Sequence, residues 1–362
     1  MNIRSKRVKP PDHSPPYSAR VSIVLPHWNG IDILSDCLNS LKRCTYPNIE
    51  IIVVDNASTD GSPDWVEKNH ADVKLVRCQK NTGYAGGCNR GLRIASGDYV
   101  LLLNNDTVHE PNWIEPLVDT LEKNSTIGAV QPKILNYFDR DLFDYAGGSG
   151  GAMDILCFPF ARGRLFLTRE QDKGQYENET QIFWASGTAV LLKKNLFEEA
   201  GGLDEIFFAH QEEIDLQWRL QLMGYRIFVN PKSVVYHKNA LTLPMHSQKK
   251  KYLNHRNSLI MMLSNYNLPL ILYLFPIRLF LEFVAVLYAL ALRDFGHIGA
   301  ILKSLLWLLI HPGTIYRKRR KTKAIRKLKD REILPLLYKG SVVLDYYLLR
   351  KRRYSDLISK PC

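Results

Sequence analysis

Residues 99–106 read YVLLLNND, five largely apolar residues followed by three polar ones. The run is short, apolar on both faces and closed by a polar turn, which predicts a strand buried inside a sheet. Two earlier runs, VSIVL at 21–25 and IEIIVV at 49–54, have the same form, and segments with helical spacing separate them. Strands that alternate with helices predict an α/β fold with a mostly parallel sheet covered on both faces.

Polar side chains follow all three strands at the point where each strand ends. They are Trp28 and Asn29, then Asp55 and Asn56, then the run 104–106. Asp and Asn are ordinary turn residues, so one such end would carry little information. Ligands of open α/β sheets bind beyond the carboxyl ends of the strands, however. Three polar ends together therefore predict one polar site.

The first strand is not followed by a glycine-rich phosphate loop. Residues 26–30 read PHWNG, and neither GxGxxG nor GxxxxGK[ST] occurs. A divalent cation held by carboxylates is another way to bind a diphosphate, and Asp106 at the end of a buried strand can be held rigidly. Asp55 can accept hydrogen bonds from a nucleobase edge, although the turn after it is also a plain Asx-rich cap.

The densest acidic cluster, HQEEID at 210–215, is a candidate general base. Neighbouring carboxylates raise the pKa of one another, which suits proton abstraction. On a helix Asp215 would pair with Arg219 and Glu212 would share the face of Asp215. This spacing favours Glu213 as the free carboxylate and leaves Glu212 as the alternative. His237 ends a later strand, and a lone histidine is more often structural than a metal ligand.

After residue 127 the alternation of strands and helices weakens. We predict strands over 127–135 and 182–193, with the glycine-rich residues 147–151 forming a flexible loop between them. A helix follows within 204–223, and two further strands are predicted over 225–229 and 233–237.

Seven segments, in order over about residues 20–240, resemble the glycosyltransferase family 2 pattern with a GT-A fold. Within this family the chain most resembles bacterial rhamnosyltransferase-like enzymes that build surface polysaccharides. The QxxRW motif of processive synthases is missing. The matching segments are VSIVLPHWNG, IEIIVVDNASTDGS, NTGYAGGCNRGL, GDYVLLLNNDTV, ASGTAVLLKK, GLDEIFFAHQEEIDLQWRLQLMGY and VVYHK.

The resemblance implies a role for each matching residue. Asp106 and His237 would hold Mg²⁺ or Mn²⁺, which would stabilise the departing nucleoside diphosphate. Glu213, beside Glu212, would take the acceptor proton in a single inverting displacement. Asn stands first in the DXD-like run 104–106, a departure that concerns ribose contacts more than metal binding. The implied contacts to the nucleotide sugar or acceptor are Pro26, Trp28, Asn29, Asp55, Asn56, Gly83, Asn89, Asn104, Asn105, Trp184, Ser186 and Gly187.

The net charge of +13 comes from the ends of the chain. Residues 311–362 contain sixteen Lys and Arg against four Asp and Glu, whereas residues 21–310 are slightly acidic. Nucleic-acid binders interleave aromatic and basic residues across a folded groove, so no nucleic-acid partner is expected. With 46% hydrophobic and 23% charged residues, the chain is neither disordered nor a small disulfide scaffold.

Two apolar stretches, 268–292 and 298–310, precede the basic tail. Prolines, Arg278 and Glu282 interrupt the first, and the second is short of the roughly 20 apolar residues of a membrane span. We therefore expect amphipathic helices in the membrane interface, with the basic tail facing anionic lipid. The alternative is two helices packed on the domain, followed by a solvated basic helix.

Four regions are predicted: a polar leader (1–19), a GT-A catalytic domain (20–245), apolar or amphipathic helices (246–316) and a basic helical tail (317–362). Six cysteines without a CxxC pair predict reduced thiols, and the N-terminus does not resemble a signal peptide. The expected location is the cytoplasmic face of the inner (plasma) membrane, peripheral or shallowly inserted.

The expected partners are a nucleotide-sugar donor (dTDP-, UDP- or GDP-linked), a lipid-linked saccharide acceptor and an anionic membrane surface. Rhamnose is the candidate sugar that the resemblance suggests. The sequence leaves open the nucleotide base, the acceptor, the linkage and the oligomeric state. The alternatives are a sugar-nucleotide-binding pseudoenzyme and, ranked lower, a basic nucleic-acid-binding protein.

Overall fold

A computed structural model describes residues 17–238 and 247–358. Most of the predicted leader and the predicted boundary at 245–246 lie outside these residues. The central sheet has nine strands, and the four that come first in the chain are parallel to one another, as predicted. These strands are β1 (Val21–His27), β2 (Ile49–Asp55), β3 (Lys74–Arg77) and β4 (Tyr99–Leu103). The helices that connect them are α1 (Ile31–Leu41), α2 (Ser62–Asn69) and α3 (Gly83–Ile94).

The other half of the sheet mixes parallel and antiparallel pairs. β12 is antiparallel to both β4 and β6, β13 is parallel to β6, and β5 and β11 are antiparallel to β13. The strands are β5 (Thr107–His109), β6 (Ile127–Asn136), β11 (Thr180–Ile182), β12 (Ala189–Lys193) and β13 (Arg226–His237).

Two strand predictions in this half are wrong. Residues 182–193 form the end of β11 and all of β12, separated by residues 183–188, which belong to neither strand. Residues 225–229 and 233–237, by contrast, belong to one strand, β13, whose register shifts between Asn230 and Val234. Pro231 lies at this shift, where a residue without an N–H group interrupts the ladder and a bulge lets the strand continue.

The glycine-rich residues 147–151 are buried, so the prediction of a flexible loop is wrong. A Cβ on Gly151 would lie 2.1 Å from the Trp184 ring, and one on Gly147 would lie 2.6 Å from Ser186 Cβ. The glycines therefore allow close packing behind residues 184–186. They lead into a small antiparallel sheet of β7 (Gly151–Met153), β8 (Pro159–Ala161), β9 (Arg164–Leu165) and β10 (Thr168–Arg169).

Apolar clusters cover both faces of the central sheet. On one face the sheet packs against α1 and α4, and on the other against α3 and α6. A third cluster joins α6 to the C-terminal helices. The helices of the second half of this domain are α4 (Glu115–Lys123), α5 (Lys194–Glu199) and α6 (Glu212–Leu222).

The C-terminal region packs onto α6 as a set of helices. α8 continues through Pro276, and Arg278 and Glu282 are each 1% exposed, so the proline and the charges do not break the helix. In the described part of the chain α8 has the length and apolar character to cross a membrane, and α9 with α10, bent by 74°, could form a second crossing. The helices are α7 (Gln248–Asn265), α8 (Leu268–Ala291), α9 (Phe295–Ile310), α10 (Pro312–Ile325), α11 (Asp330–Ile333) and α12 (Val342–Tyr347). α10 runs through the predicted boundary at 316–317.

Part of the basic tail lies inside the protein, which corrects the expectation that its charges all face lipid or solvent. Lys318 Nζ lies 2.7 Å from Asp215 Oδ2 and 3.0 Å from Asp204 Oδ2. Lys318 is 5% exposed and Asp215 is fully buried. Arg319 donates to main-chain oxygens at the end of α7, including Tyr266 O at 3.0 Å. These cations connect α10 to the catalytic domain.

We expect Lys318→Met to lower the free energy of unfolding by about 3 kcal/mol, because it leaves Asp215 buried with one cation fewer. Arg219 still pairs with Asp215, which keeps the loss at the lower end of the usual range. Urea denaturation measures this change. Lys323→Met, at an exposed position of the same helix, should alter stability by less than about 0.5 kcal/mol. Equal losses in the two variants would contradict an internal role for Lys318.

Candidate functional site

The carboxyl ends of β1 and β2 are joined by side-chain hydrogen bonds. The Thr59 N–H donates to Asn29 Oδ1 at 2.8 Å, and the Asn29 N–H donates to Ser58 Oγ at 2.9 Å. Asn29 has φ +55, a left-handed conformation that asparagine tolerates better than most residues. Trp28 beside it is 41% exposed, so its indole faces the surface at this edge of the sheet.

The start of α3 joins the same network through Asn56. Asn56 Nδ2 donates to Gly83 O at 3.2 Å, and Asn56 Oδ1 accepts from Thr82 at 3.2 Å. A Cβ on Gly87 would lie 2.7 Å from Asn56 Nδ2 and 3.0 Å from Pro26 Cβ, so this glycine permits the close approach. The structure therefore brings together Pro26, Asn29, Asp55, Asn56 and Gly83.

Asn89 is engaged elsewhere. Its Nδ2 donates to Leu203 O at 2.8 Å and its Oδ1 accepts from the Leu203 N–H at 3.1 Å. The side chain thus fixes the segment that leads to Asp204 and α6. Its predicted contact with the nucleotide sugar stays a prediction.

His27 is a buried residue at the strand ends to which the sequence analysis gave no role. It pairs with Asp55 in the β1–β2 register, and its Nδ1 lies 2.7 Å from Asn105 Nδ2. Its Nε2 is buried without a hydrogen-bond partner among the described residues. Burial lowers the pKa of His27, so the ring is neutral and can accept from Asn105.

Asp106 and His237 meet at the end of the sheet. His237 Nε2 lies 3.0 Å from Asp106 Oδ1, and His237 Nδ1 lies 2.9 Å from Asp144 Oδ1. All three residues are at most 5% exposed. β5 and β13 pair directly beside this point, with His237 opposite Thr107. Asn104 Nδ2 lies 3.4 Å from His237 Nε2, so Asn104 and Asp106 both contact the histidine.

Charges balance in this cluster. Burial alone would lower the pKa of His237, but Asp106 and Asp144 outweigh it and raise that pKa well above its usual range. Burial alone would raise the pKa of Asp106, and His237 reverses the shift, so the pKa is lowered. The cluster is therefore a site where two carboxylates stabilise a positive charge.

These residues fit the divalent cation that the family resemblance implies. Across residues 17–238 and 247–358, no three His, Cys, Asp or Glu side chains form a ready-made metal cage. Mg²⁺ and related cations are often held by one or two side chains together with substrate phosphates, however. A carboxylate on the second nitrogen of a ligating histidine is the usual way to orient the ring, and Asp144 is so placed.

Glu212 and Glu213 begin α6, with Glu212 buried and Glu213 half-buried. Burial raises the pKa of both carboxyls, and the charge of Glu213 raises the pKa of Glu212 further, well above its usual range. Backbone N–H groups, including that of Gly187, donate to Glu213 and partly oppose its shift. Burial and mutual repulsion thus favour a proton on this pair, and the N–H groups that donate to Glu213 favour its ionised form. The Oε2 atom of each is buried without a hydrogen-bond partner among the described residues.

The predicted ion pair on α6 is confirmed. Arg219 Nε lies 3.0 Å from Asp215 Oδ2. Burial alone would raise the pKa of Asp215, but Lys318 and Arg219 outweigh it and lower that pKa. Asp215 is thus an ionised structural carboxylate, in contrast to the glutamates that precede it.

The segment 186–188 connects the glutamates to the strand ends. The Gly187 N–H donates to Glu213, and Gly187 O accepts from the Tyr84 hydroxyl at 2.5 Å. Thr188 O accepts from the Asn104 N–H at 2.9 Å. Ser186 Oγ is buried and accepts from the Thr188 N–H at 3.1 Å. The structure therefore joins Glu213, Gly187 and Asn104 in one chain of contacts.

Trp184 packs behind residues 186–188. It is 4% exposed, its ring lies against Gly151, and its Nε1–H donates to Ala152 O at 2.8 Å. Its predicted contact with donor or acceptor stays a prediction.

The loop before α6 is held by α7. Asn257 Nδ2 donates to three main-chain oxygens, those of Phe207, Ala209 and His210, at 3.1, 3.0 and 2.7 Å. Phe208, His210 and Gln211 all have positive φ. Such conformations cost free energy in residues other than glycine and cluster at functional sites. Asn257 offsets that cost, so it positions the glutamates without contacting them.

Comparison with known proteins finds glycosyltransferases related to this chain. Residues 22–200 match the profile described as Glycosyl transferase family 2. One relative is N-acetylglucosaminyl-diphospho-decaprenol L-rhamnosyltransferase of Mycobacterium tuberculosis, 27% identical over 217 residues, which are 56% of this chain and 70% of the relative. Another is poly-beta-1,6-N-acetyl-D-glucosamine synthase of Staphylococcus epidermidis, 28% identical over 221 residues, 60% of this chain and 49% of the relative.

Two solved structures share the fold. GalNAc-T7 with UDP, GalNAc and Mn²⁺ has a TM-score of 0.55 at 18% identity, over 68% of this chain and 48% of that chain. A mannosyltransferase from Pyrobaculum calidifontis with GDP-Man and Mn²⁺ has a TM-score of 0.51 at 19% identity, over 91% of this chain and 87% of that chain. Residues 22–200 thus form a glycosyl transferase family 2 domain, and the chain is a GT-A-fold glycosyltransferase of that family, similar to a rhamnosyltransferase.

Proposed function

We propose that this enzyme is an inverting, divalent-metal-dependent glycosyltransferase. It transfers a sugar, with rhamnose the first candidate, from a nucleoside diphosphate to a lipid-linked saccharide in cell-surface polysaccharide synthesis. The observation that carries the proposal is the chain of contacts from Asn104 through residues 186–188 to Glu213. It links the strand ends, where nucleotides bind in such sheets, to the half-buried Glu213, whose Oε2 has no hydrogen-bond partner among the described residues.

The proposed chemistry is a single displacement. Glu213 takes the proton of the acceptor hydroxyl as that oxygen attacks the anomeric carbon, and the bond to the diphosphate breaks. The backbone N–H groups that donate to Glu213 favour its ionised form, which is the form that accepts the proton. A divalent cation bound by Asp106 and His237 would supply positive charge to the diphosphate. Trp28, Asn29, Asp55 and Asn56 would surround the nucleotide.

The relatives support the choice of substrates. The mycobacterial relative is named for a lipid-linked diphosphate sugar and for rhamnose transfer, and the solved neighbours hold UDP or GDP-Man with Mn²⁺. A lipid-linked acceptor also suits the C-terminal helices. The buried face of α8 carries Arg278 and Glu282, whereas Leu272, Phe280 and Phe283 on α8 are more than half exposed.

We infer that α8 lies in the membrane interface on the cytoplasmic side, with its polar face kept on the protein. Arg278 and Glu282 of α8 pair with each other on the buried face, so the helix keeps these charges on the protein while its apolar surface meets lipid. The cations left exposed near it on the basic tail would attract anionic lipid. They are Arg317, Arg320, Lys321, Lys323, Lys327 and Lys329.

A thermal-shift panel tests the proposal. Purified protein is heated with dTDP-rhamnose, UDP-N-acetylglucosamine and GDP-mannose, each with and without Mn²⁺. We expect one nucleotide to raise the melting temperature by about 3 °C or more only when Mn²⁺ is present, because ligand at 100 times its Kd adds about 2.7 kcal/mol of stability. Absence of stabilisation by all three would overturn the proposed function.

A further inference from the structure

A cavity of about 890 Å³ lies between α7 and α9, and among the described residues that line it every charged side chain is basic. Lys249 and Arg256 come from α7 and Lys303 from α9. Aromatic rings, including those of Phe208 and Tyr252, form much of the remaining wall. A cavity with three cations and no lining carboxylate attracts an anion.

The two lysines are not neutralised by neighbouring acids. Lys249 Nζ lies 4.1 Å from the centre of the Phe208 ring, and Lys303 Nζ lies 5.1 Å from that of Tyr252. Within residues 17–238 and 247–358, neither lysine forms an ion pair. Lys251 on the same helix pairs with Asp294. Asp294 is the acid near this end of α7, and it does not line the cavity.

The cavity and the catalytic glutamates share one loop. The Phe208 ring lines the cavity, and its carbonyl oxygen accepts from the Ala85 N–H at 3.4 Å, at the start of α3. Arg256 Nη2 donates to Ile206 O at 2.7 Å, just before it. Glu212 and Glu213 follow four and five residues after Phe208. A ligand in the cavity is therefore separated from the base by a single stretch of loop.

Apolar surface borders the cavity. Phe295 lines it and is 68% exposed, and further along α9 Leu302 and Leu306 are each 55% exposed. The exposed face of α8 lies beside this surface, because α8 packs on α9. An occupant with an anionic head and a long apolar tail would satisfy both the cations and the exposed side chains.

We propose that this cavity binds the diphosphate group of the lipid-linked acceptor, with the lipid chain along the exposed faces of α8 and α9. The inference rests on the proposed function and adds the place where the acceptor is held. Lysines act as point charges toward phosphate oxygens, and Arg256 adds a fixed guanidinium. The saccharide beyond the diphosphate would then extend past Phe208 toward Glu213.

The test uses farnesyl diphosphate, inorganic pyrophosphate and farnesol as probes in calorimetric titrations. Three variants are compared with the unchanged protein: Lys303→Glu, Gly299→Leu and, as a charge-matched control, Lys323→Glu on exposed α10. A Cβ on Gly299 meets no atom within 4 Å, so leucine there enters the cavity without a clash in the helix. Melting curves confirm that each variant is folded.

We expect farnesyl diphosphate to bind at least about tenfold more tightly than pyrophosphate or farnesol. Lys303→Glu should weaken it by at least about tenfold, because it replaces a cation with an anion. Gly299→Leu should weaken it by at least about tenfold, because the larger side chain occupies space in the cavity. Lys323→Glu should change it less than about twofold. Unaltered binding in both cavity variants would overturn the proposal, as would equal affinity for pyrophosphate, which would indicate a free-phosphate site.

The same variants separate this proposal from the proposed function. Stabilisation by nucleotide sugar with Mn²⁺ should be unchanged in Lys303→Glu and Gly299→Leu, because neither residue belongs to the strand-end site. Retained donor binding with unaltered farnesyl diphosphate binding would overturn the cavity alone. Loss of donor binding in the unchanged protein would count against the proposed function.

Discussion

Replacing Glu213 with glutamine is expected to lower the rate of sugar transfer by about 10²–10⁴-fold, the usual contribution of a general base. Glutamine keeps the size of the side chain and its contact with the Gly187 N–H but cannot take a proton. Donor binding, measured by thermal shift with Mn²⁺, should be unchanged. Because burial raises the pKa of Glu213, activity should fall as pH decreases through a value above the ordinary glutamate range, where the base becomes protonated.

Glu212→Gln is the matched control. Glu212 is not the proposed base, so an amide of the same size should replace it with a loss of less than about tenfold. Steady-state transfer rates of the two variants, measured with the nucleotide sugar identified in the thermal-shift panel, show which glutamate is the base. If Glu212→Gln abolishes transfer and Glu213→Gln does not, the assignment of the base is reversed.

Asp106→Asn is expected to weaken Mn²⁺-dependent donor binding by more than about 100-fold. Loss of an outer-sphere partner of a metal usually weakens binding by about 10–100-fold, and loss of a direct ligand should exceed that. The variant removes the carboxylate that faces His237 Nε2 and leaves a neutral amide in its place. Calorimetric titration with donor, with and without Mn²⁺, measures the change independently of turnover.

Two further variants test whether the loss of Mn²⁺-dependent binding is specific to carboxylates around His237. Asp144→Asn, which alters the partner of His237 Nδ1, should weaken Mn²⁺-dependent binding by about 10–100-fold. Asp64→Asn, at an exposed carboxylate on α2, should leave it unchanged. Full Mn²⁺-dependent binding in Asp106→Asn would exclude Asp106 as a ligand.

The residues at the strand ends could be predicted because the pattern that identifies them lies within a few consecutive residues. An apolar run followed directly by polar residues defines both the strand and the edge at which its side chains meet, as Asp55 and Asp106 show. Asp144 could not be predicted, because it reaches His237 across 93 residues and its neighbours form no pattern. Asn257 is similar, since a polar residue on a helix shows nothing of the loop to which it donates.

Other predictions were wrong because the same residue type occurs in two different structural settings. Glycines at 147–151 are as typical of a flexible loop as of a backbone pressed against a tryptophan, and only the position of Trp184 distinguishes them. Lysines in the tail are as typical of a membrane-facing surface as of an internal ion pair. Lys318 forms the latter because Asp204 and Asp215, more than 100 residues away, lie opposite it.

The three carbonyl oxygens held by Asn257 have a consequence for how this enzyme can be divided. The left-handed turn that delivers the glutamates is fastened to α7, and the acid that follows them is neutralised from α10. A fragment ending near residue 245 would keep every predicted catalytic side chain and lose the supports that hold the base in place. The catalytic domain and the C-terminal helices are therefore one unit of folding, and a displacement of those helices would also move the loop that leads to Glu212 and Glu213.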